Sequence, residues 1–194
     1  MSSSPAASSP LPTDTVYGLC AVAADSGAVE AAYAVKERDP RQAMPIFVAT
    51  LEQAETIGDF NDTARTLATT FWPGPLTIVV PKRAGYVSRA TAGEDTIALR
   101  IPADERLRAL CEQVGPLTGT SANIAGREEC HTAAEVRAQI GPRVNLIVDA
   151  PVPAEGQPST IVDCSAEGIV RILRDGAVSR EAIAAALDGV AEFE

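Results

Sequence analysis

Apolar residues fall in short blocks along the chain, and the spacing within each block alternates between helical and strand-like. Ala28 to Arg38, Ala-rich with Val29, Tyr33 and Lys36, predicts a helix capped by Asp25 or Ser26 and ending in Lys36 and Arg38. Pro45 to Ala49 reads as a buried strand, followed by two short helices at Leu51 to Ile57 and Asp62 to Phe71. Leu76 to Pro81 and Thr96 to Arg100 are β-rich runs, the second placing Arg100 at a strand end just before Pro102. Asp104 to Val114 carries Leu107, Leu110, Cys111 and Val114 at helical spacing, and Leu117 to Thr120 is a short strand running into Ser121. Thr132 and Glu135 form a capping box for a helix that stops near Gly141. Three short strands are expected next, at Leu146 to Asp149, Thr160 to Asp163 and Ile169 to Arg174; Ser179 then caps a final helix through Leu187.

Strands and helices alternate irregularly, without internal repeats. The pattern therefore predicts an α/β domain over residues 12–194 with a mixed, twisted open sheet and flanking helices, rather than a doubly wound Rossmann fold. Met1 to Leu11 is rich in Ser, Pro and Ala, and such a segment buries too little surface to offset its ordering entropy, so residues 1–11 are expected to be a flexible tail.

Composition narrows this further. With 194 residues, 46% of them hydrophobic and 22% charged, the chain suits one globular domain. No stretch approaches the roughly 18 to 20 unbroken apolar residues of a membrane span, and the start lacks the order of a signal peptide, so no membrane association and a cytoplasmic location are expected. Cys20, Cys111, Cys130 and Cys164 form no Cys-x-x-Cys pair, which argues for buried free thiols over a zinc site or disulfide framework. The adjacent Cys130 and His131 have no further candidate ligands close by. The 26 acidic and 16 basic residues give a formal charge of −10, which disfavours direct nucleic-acid binding but leaves room for a local cationic cluster that takes a small anion.

Three segments carry candidate chemistry. Pro12-Thr13-Asp14-Thr15-Val16-Tyr17-Gly18 packs three hydroxyls and a carboxylate beside a glycine, which suits either a turn or a polar site. Lys36-Glu37-Arg38 is either a solvated helix end or a phosphate clamp in which Lys supplies a point charge and Arg a planar fork. Ser121-Ala122-Asn123, with Gly126, sets a hydroxyl and an amide in a loop after a strand, where α/β sheets commonly bind ligands.

Together their order resembles the YrdC-type threonylcarbamoyl-AMP synthase family, with Lys-x-Arg followed later by Ser-x-Asn. The resemblance continues through Trp72-Pro73-Gly74-Pro75-Leu76-Thr77, Arg100-Ile101-Pro102, Pro158-Ser159-Thr160-Ile161-Val162-Asp163 and Leu173-Arg174-Asp175-Gly176-Ala177, and spans Pro12 to Leu187. It implies an enzyme, a nucleotidyltransferase making threonylcarbamoyl-adenylate and pyrophosphate from ATP, bicarbonate and L-threonine, with Mg2+ accompanying ATP and hand-over of the adenylate to a tRNA-modifying transferase complex. Carried over by position, it implies that Lys36, Arg38, Ser121, Asn123 and Arg174 contact ATP, with Lys36 and Arg38 catalytic through charge stabilisation. Thr15, Tyr17, Arg100 and Ser159 would then hold threonine, Arg100 through its carboxylate and Tyr17 around its side chain.

The chain departs from that pattern at four places. Met1 to Leu11 offers no match for the helix and apolar strand that usually precede Pro-Thr-Asp-Thr, so the first strand is expected to be missing. The Arg38 to Pro45 loop is about two residues longer than the family pattern by resemblance, Ala49 stands where some relatives have His, and Gly119-Thr120 precedes Ser121 where Pro is common, which is expected to loosen the Ser-x-Asn loop. The competing readings are a YrdC-like paralogue that adenylates another carbamoyl donor, whose known examples are longer, and a non-catalytic RNA- or ribosome-associated module, which the acidic charge opposes.

Overall fold

The computed structural model describes residues 8–151, 156–187 and 191–193. Strand β1 (Ser9–Leu11) leads through the Thr-rich turn to β2 (Gly18–Cys20) and helix α1 (Ser26–Lys36). Then come β3 (Ile46–Phe47), α2 (Leu51–Glu55), α3 (Asp62–Phe71), β4 (Leu76–Pro81), β5 (Thr96–Arg100) and α4 (Glu105–Val114). The chain continues with β6 (Leu117–Thr118), β7 (Thr120–Ser121), α5 (Ala133–Ile140), β8 (Thr160–Asp163), β9 (Ile169–Arg174), α6 (Arg180–Ala186) and β10 (Glu192–Phe193). No helix among the described residues is long and apolar enough to cross a membrane.

The larger sheet has the order β10-β9-β8-β4-β5-β3-β6 and is mixed: β4 runs parallel to β8 and antiparallel to β5, and β5 runs parallel to β3. β4 sits at its centre because Leu-Thr-Ile-Val-Val is a nearly continuous apolar run, with Leu76, Ile78 and Val80 fully buried. Helix α3 buries Thr63, Ala64, Leu67 and Ala68 and packs against β4 and α6. A second, three-stranded antiparallel sheet has the order β1-β2-β7. The break between β6 and β7 falls at Gly119: the Gly119 N–H donates to the Pro45 carbonyl, and a Cβ there would lie 2.6 Å from the Phe47 ring. The glycine that was expected to loosen the Ser-x-Asn loop instead packs it tightly against Phe47.

The helix starts follow their capping chemistry. Asp25 accepts from Gly27 and Ala28, Asn61 from Ala64, Asp104 from Arg106 and Leu107, and Ser179 from Ala182, while Thr132 and Glu135 make both halves of the capping box.

Three local expectations are corrected. Ser9–Leu11, placed in the tail, is a strand in register with Gly18–Cys20, so a first strand stands beside the Pro12 segment; residues 1–7 lie outside the described residues. Pro10 is tolerated because this is an edge, where its carbonyl accepts from Val148 at 3.2 Å and no further ladder donor is required. Leu146 to Asp149 is not a strand: that stretch lies along β1, and this Val148 bond does not propagate into a ladder. Helix α1 ends at Lys36, two residues before the expected Arg38, because Glu37 adopts φ 51° and reverses the chain.

Candidate active site

The loop after helix α1, strands β2, β3, β4, β5, β7, β8 and β9, and the turn after β1 converge on a pocket of about 290 Å³. Its wall includes Thr13, Thr15, Arg38, Phe47, Arg100, Ser121, Glu129, Ser159 and Arg174. Three guanidinium groups thus meet in one cavity of a protein with formal charge −10. That concentration requires an anionic occupant or compensating acids.

One side of the pocket is the Thr13 to Val16 turn. The Thr13 hydroxyl donates to the Val16 carbonyl at 2.6 Å, accepts from the Thr15 N–H at 3.1 Å, and lies 3.0 Å from the Thr15 hydroxyl. These bonds lock the turn and aim both threonines. Arg100, at the end of β5, is held from three directions: Nε donates to the Gly74 carbonyl at 2.9 Å, Nη1 to Thr15 Oγ1 at 3.2 Å, and Nη2 pairs with Asp14 at 2.8 Å. The Arg100 side chain is 3% exposed and that of Asp14 13%, and the guanidinium lies 5.7 Å from the Phe47 ring centroid. Burial pulls the Arg100 pKa down while the Asp14 carboxylate opposes that shift. Arg100 therefore reaches the pocket as half of an ion pair and not as a free cation. Asp14, which the sequence reading passed over, is its counter-ion, and one Asp14 oxygen has no hydrogen-bond partner.

The opposite side is built on β9 and the segment before β8. Arg174 donates from Nε and Nη2 to the Ser159 carbonyl at 3.1 and 2.7 Å, and from Nη2 to Ser159 Oγ at 3.1 Å; the same hydroxyl lies 2.8 Å from Thr77 Oγ1. Ser159 and Arg174, expected to serve different substrates, are in direct contact. Arg38 completes the rim. The left-handed turn at Glu37 lets Arg38 leave the helix in another direction from Lys36, and its Nη2 donates to the Ala43 carbonyl at 2.8 Å.

Lys36 is displaced from its expected place. It is 1% exposed, does not line the pocket, and its ammonium donates to the carbonyl of Ser121, the carbonyl of Asn123 at 2.8 Å and Asn123 Oδ1 at 3.3 Å. Desolvation, then the nearby Arg38, lowers its pKa from 10.5 to about 8. Asn123 is likewise buried, its amide donating to the Arg127 carbonyl at 2.7 Å. In this conformation Lys36 and Asn123 are a brace behind the loop, and only Ser121 of that loop reaches the cavity.

Tyr17 does not line the pocket either. It is fully buried, its hydroxyl donating to the Ala150 carbonyl at 2.7 Å and accepting from the Ala150 N–H at 3.2 Å, so it pins the chain after α5 instead of enclosing a ligand. Thus Thr15, Arg38, Arg100, Ser121, Ser159 and Arg174 are brought together, whereas Lys36, Asn123 and Tyr17 support them. Glu129 was missed. Only its place in the loop between Ser121 and the α5 cap marks it, and sequence alone does not say whether Glu128 or Glu129 turns inward.

Among the described residues, no group of three His, Cys, Asp or Glu is arranged to hold a metal ion. Cys130 is buried, and desolvation pushes its thiol up to about 11, leaving it protonated at neutral pH.

Comparison with known proteins gives these geometric findings a context. The Sua5/YciO/YrdC family model, described as telomere recombination, matches residues 10–176. A threonylcarbamoyl-AMP synthase of Bacillus subtilis is 35% identical over 179 residues, covering 91% of this chain and 51% of the relative. One from Idiomarina loihiensis is 35% identical over 158 residues, covering 78% and 84%. The chain therefore spans about half the length of the first relative and most of the second. Pyrococcus abyssi Sua5 complexed with L-threonine superimposes with a TM-score of 0.89 at 33% identity, over 97% of this chain and 56% of that one. Escherichia coli YciO, at 21% identity and a TM-score of 0.79, shares the fold.

Proposed function

The chain belongs to the Sua5/YciO/YrdC family, and on that premise we propose that its pocket forms threonylcarbamoyl-adenylate and pyrophosphate from ATP, bicarbonate and L-threonine. The observation that carries the proposal is the convergence of Arg38, Arg100 and Arg174 with the hydroxyls of Thr13, Thr15, Ser121 and Ser159 in one cavity. It is supported by relatives at about 35% identity that are named for this activity, and by a solved relative holding L-threonine.

The chemistry asks for no covalent nucleophile from the protein. The amine of threonine attacks the carbon of bicarbonate, the N–C bond forms, water leaves, and a carbamate results. A carbamate oxygen then attacks the α-phosphorus and pyrophosphate departs. What the chain supplies is position and charge: Arg38 and Arg174 face the phosphates, and Ser121 offers a hydroxyl on the loop braced by Lys36. The Thr13–Thr15 turn with the Arg100–Asp14 pair presents a polar, preorganised wall to the amino acid. With no preassembled metal cage among the described residues, Mg2+ would arrive with the triphosphate and supply charge neutralisation there. The product is a mixed anhydride prone to hydrolysis, which fits delivery to a transferase that modifies tRNA.

The test is pyrophosphate release by the purified chain with ATP, Mg2+ and bicarbonate, with and without L-threonine, and with L-valine as isostere. Threonine-dependent release, with valine at least about tenfold poorer, is expected, because a site that pairs a hydroxyl is left unsatisfied by a methyl group. Release that ignores threonine, or that treats valine equally, would overturn the proposal.

A further inference from the structure

Glu129 lines the same cavity as Arg38, Ser121 and Arg174, and among the described residues its carboxylate makes no hydrogen bond and no ion pair. It is half-buried and near enough to Lys36 and Arg174 for its charge to be felt by both. Every other acid at this site is occupied: Asp14 is paired with Arg100. An unpartnered carboxylate in a pocket meant for polyphosphate is a paradox of sign, since it weakens the attraction that Arg38 and Arg174 create.

We infer that Glu129 makes the pocket select its nucleotide as a divalent-cation complex, the carboxylate facing the cation and repelling the metal-free triphosphate. The inference rests on the reading of the pocket as an ATP site. With Arg100 neutralised by Asp14, Glu129 opposes the wall cations Arg38 and Arg174 and lies within reach of the buried Lys36 behind the wall, so the excess positive charge falls well short of the four negative charges of free ATP. A divalent cation removes half of that charge and supplies the partner that Glu129 lacks. The donor chemistry fits: magnesium takes hard oxygen ligands and commonly uses one or two carboxylates together with substrate phosphates. A single carboxylate holds no ion by itself, so no cation site is expected before nucleotide binds.

The experiment measures ATP affinity by calorimetry, with saturating Mg2+ and in EDTA, for the wild-type chain, Glu129→Gln and Glu129→Ser. Because the side chain is unpartnered, both variants should melt within about 2 °C of wild type. The wild type is expected to bind ATP at least about tenfold more tightly with Mg2+ than without, and both variants should shrink that ratio by about tenfold, chiefly by tightening metal-free binding. As a second readout, Mn2+ affinity in the ternary complex with ATP, followed by electron paramagnetic resonance, should fall in both. An unchanged Mg2+ ratio and unchanged Mn2+ affinity in folded variants, with wild type still binding ATP, would overturn the role of Glu129 and leave the ATP site standing. A folded wild type that binds no ATP under either condition would overturn the ATP reading and this inference with it.

Discussion

Replacing Lys36 by Met keeps the shape of a buried side chain and removes its three donors, leaving the carbonyls of Ser121 and Asn123 and the Asn123 side-chain oxygen without them. Hydrogen bonds to a charged group contribute about 1.5 to 3 kcal/mol each. Against this stands the cost of burying the ammonium: a pKa lowered from 10.5 to about 8 corresponds to about 3 kcal/mol at about 1.4 kcal/mol per pH unit. The net destabilisation at pH 7 is then about 1 to 5 kcal/mol, or roughly 2 to 20 °C in Tm for a chain of this size. The pH dependence has a definite sign. The folded pKa lies below the unfolded one, so the penalty is complete below about pH 8 and is relieved as pH rises toward 10.5, where the unfolded chain binds more protons. The stability gap between wild type and Lys36→Met should therefore widen by about 3 kcal/mol across that interval, the other titrating groups cancelling in the difference. Denaturant unfolding of both proteins from pH 7 to 10.5 checks this. No loss of stability at pH 7, or a gap that narrows as pH rises, would show that Lys36 is not a buried brace.

Arg38→Ala should behave oppositely, lowering adenylate formation by at least about tenfold while costing only about 1 kcal/mol of unfolding free energy, because its side chain stands at the pocket rim and gives up a part-buried bond to the Ala43 carbonyl; steady-state pyrophosphate release and chemical denaturation separate the two effects. Tyr17→Phe should cost about 1 kcal/mol and speed proteolysis near Ala150 while leaving threonine affinity within about twofold, as limited proteolysis and calorimetry would show; a large loss of threonine affinity would return Tyr17 to the ligand. Asp14→Asn strands a buried guanidinium and should cost about 3 to 5 kcal/mol, a fall in Tm that a thermal melt resolves readily; a shift below about 2 °C would mean the pair contributes little.

The elements that the pattern placed correctly share a trait: their apolar spacing and their end signals agree. Asp62–Phe71, Leu76–Pro81, Thr96–Arg100, Thr160–Asp163 and Ile169–Arg174 coincide with expectation, and the capping box at Thr132 and Glu135 forms as read. The family resemblance was legible for the same reason, because its motifs sit at element ends whose positions local sequence dictates. Where the reading failed, pairing partners decided. Ser9–Leu11 becomes a strand because β2 offers it an edge, and Leu146 to Asp149 does not because, among the described residues, a single backbone bond ties it to β1.

Within the site, the local order of residues specifies which chemistry is available: the hydroxyls of the Thr-rich turn, the two cations around Glu37, the Ser-x-Asn loop and the arginines at strand ends. Which of those groups face the cavity was decided by tertiary structure alone. Lys36 and Arg38 are two residues apart, yet the left-handed residue between them sends one inward to brace a loop and the other to the pocket. Arg100 is a cation in sequence and half of an ion pair in the fold, since its counter-ion Asp14 lies 86 positions away in the chain and 2.8 Å away in space. A residue's type is a local property, but its burial, its partners and hence its charge in the site depend on chain segments that sequence order keeps far apart.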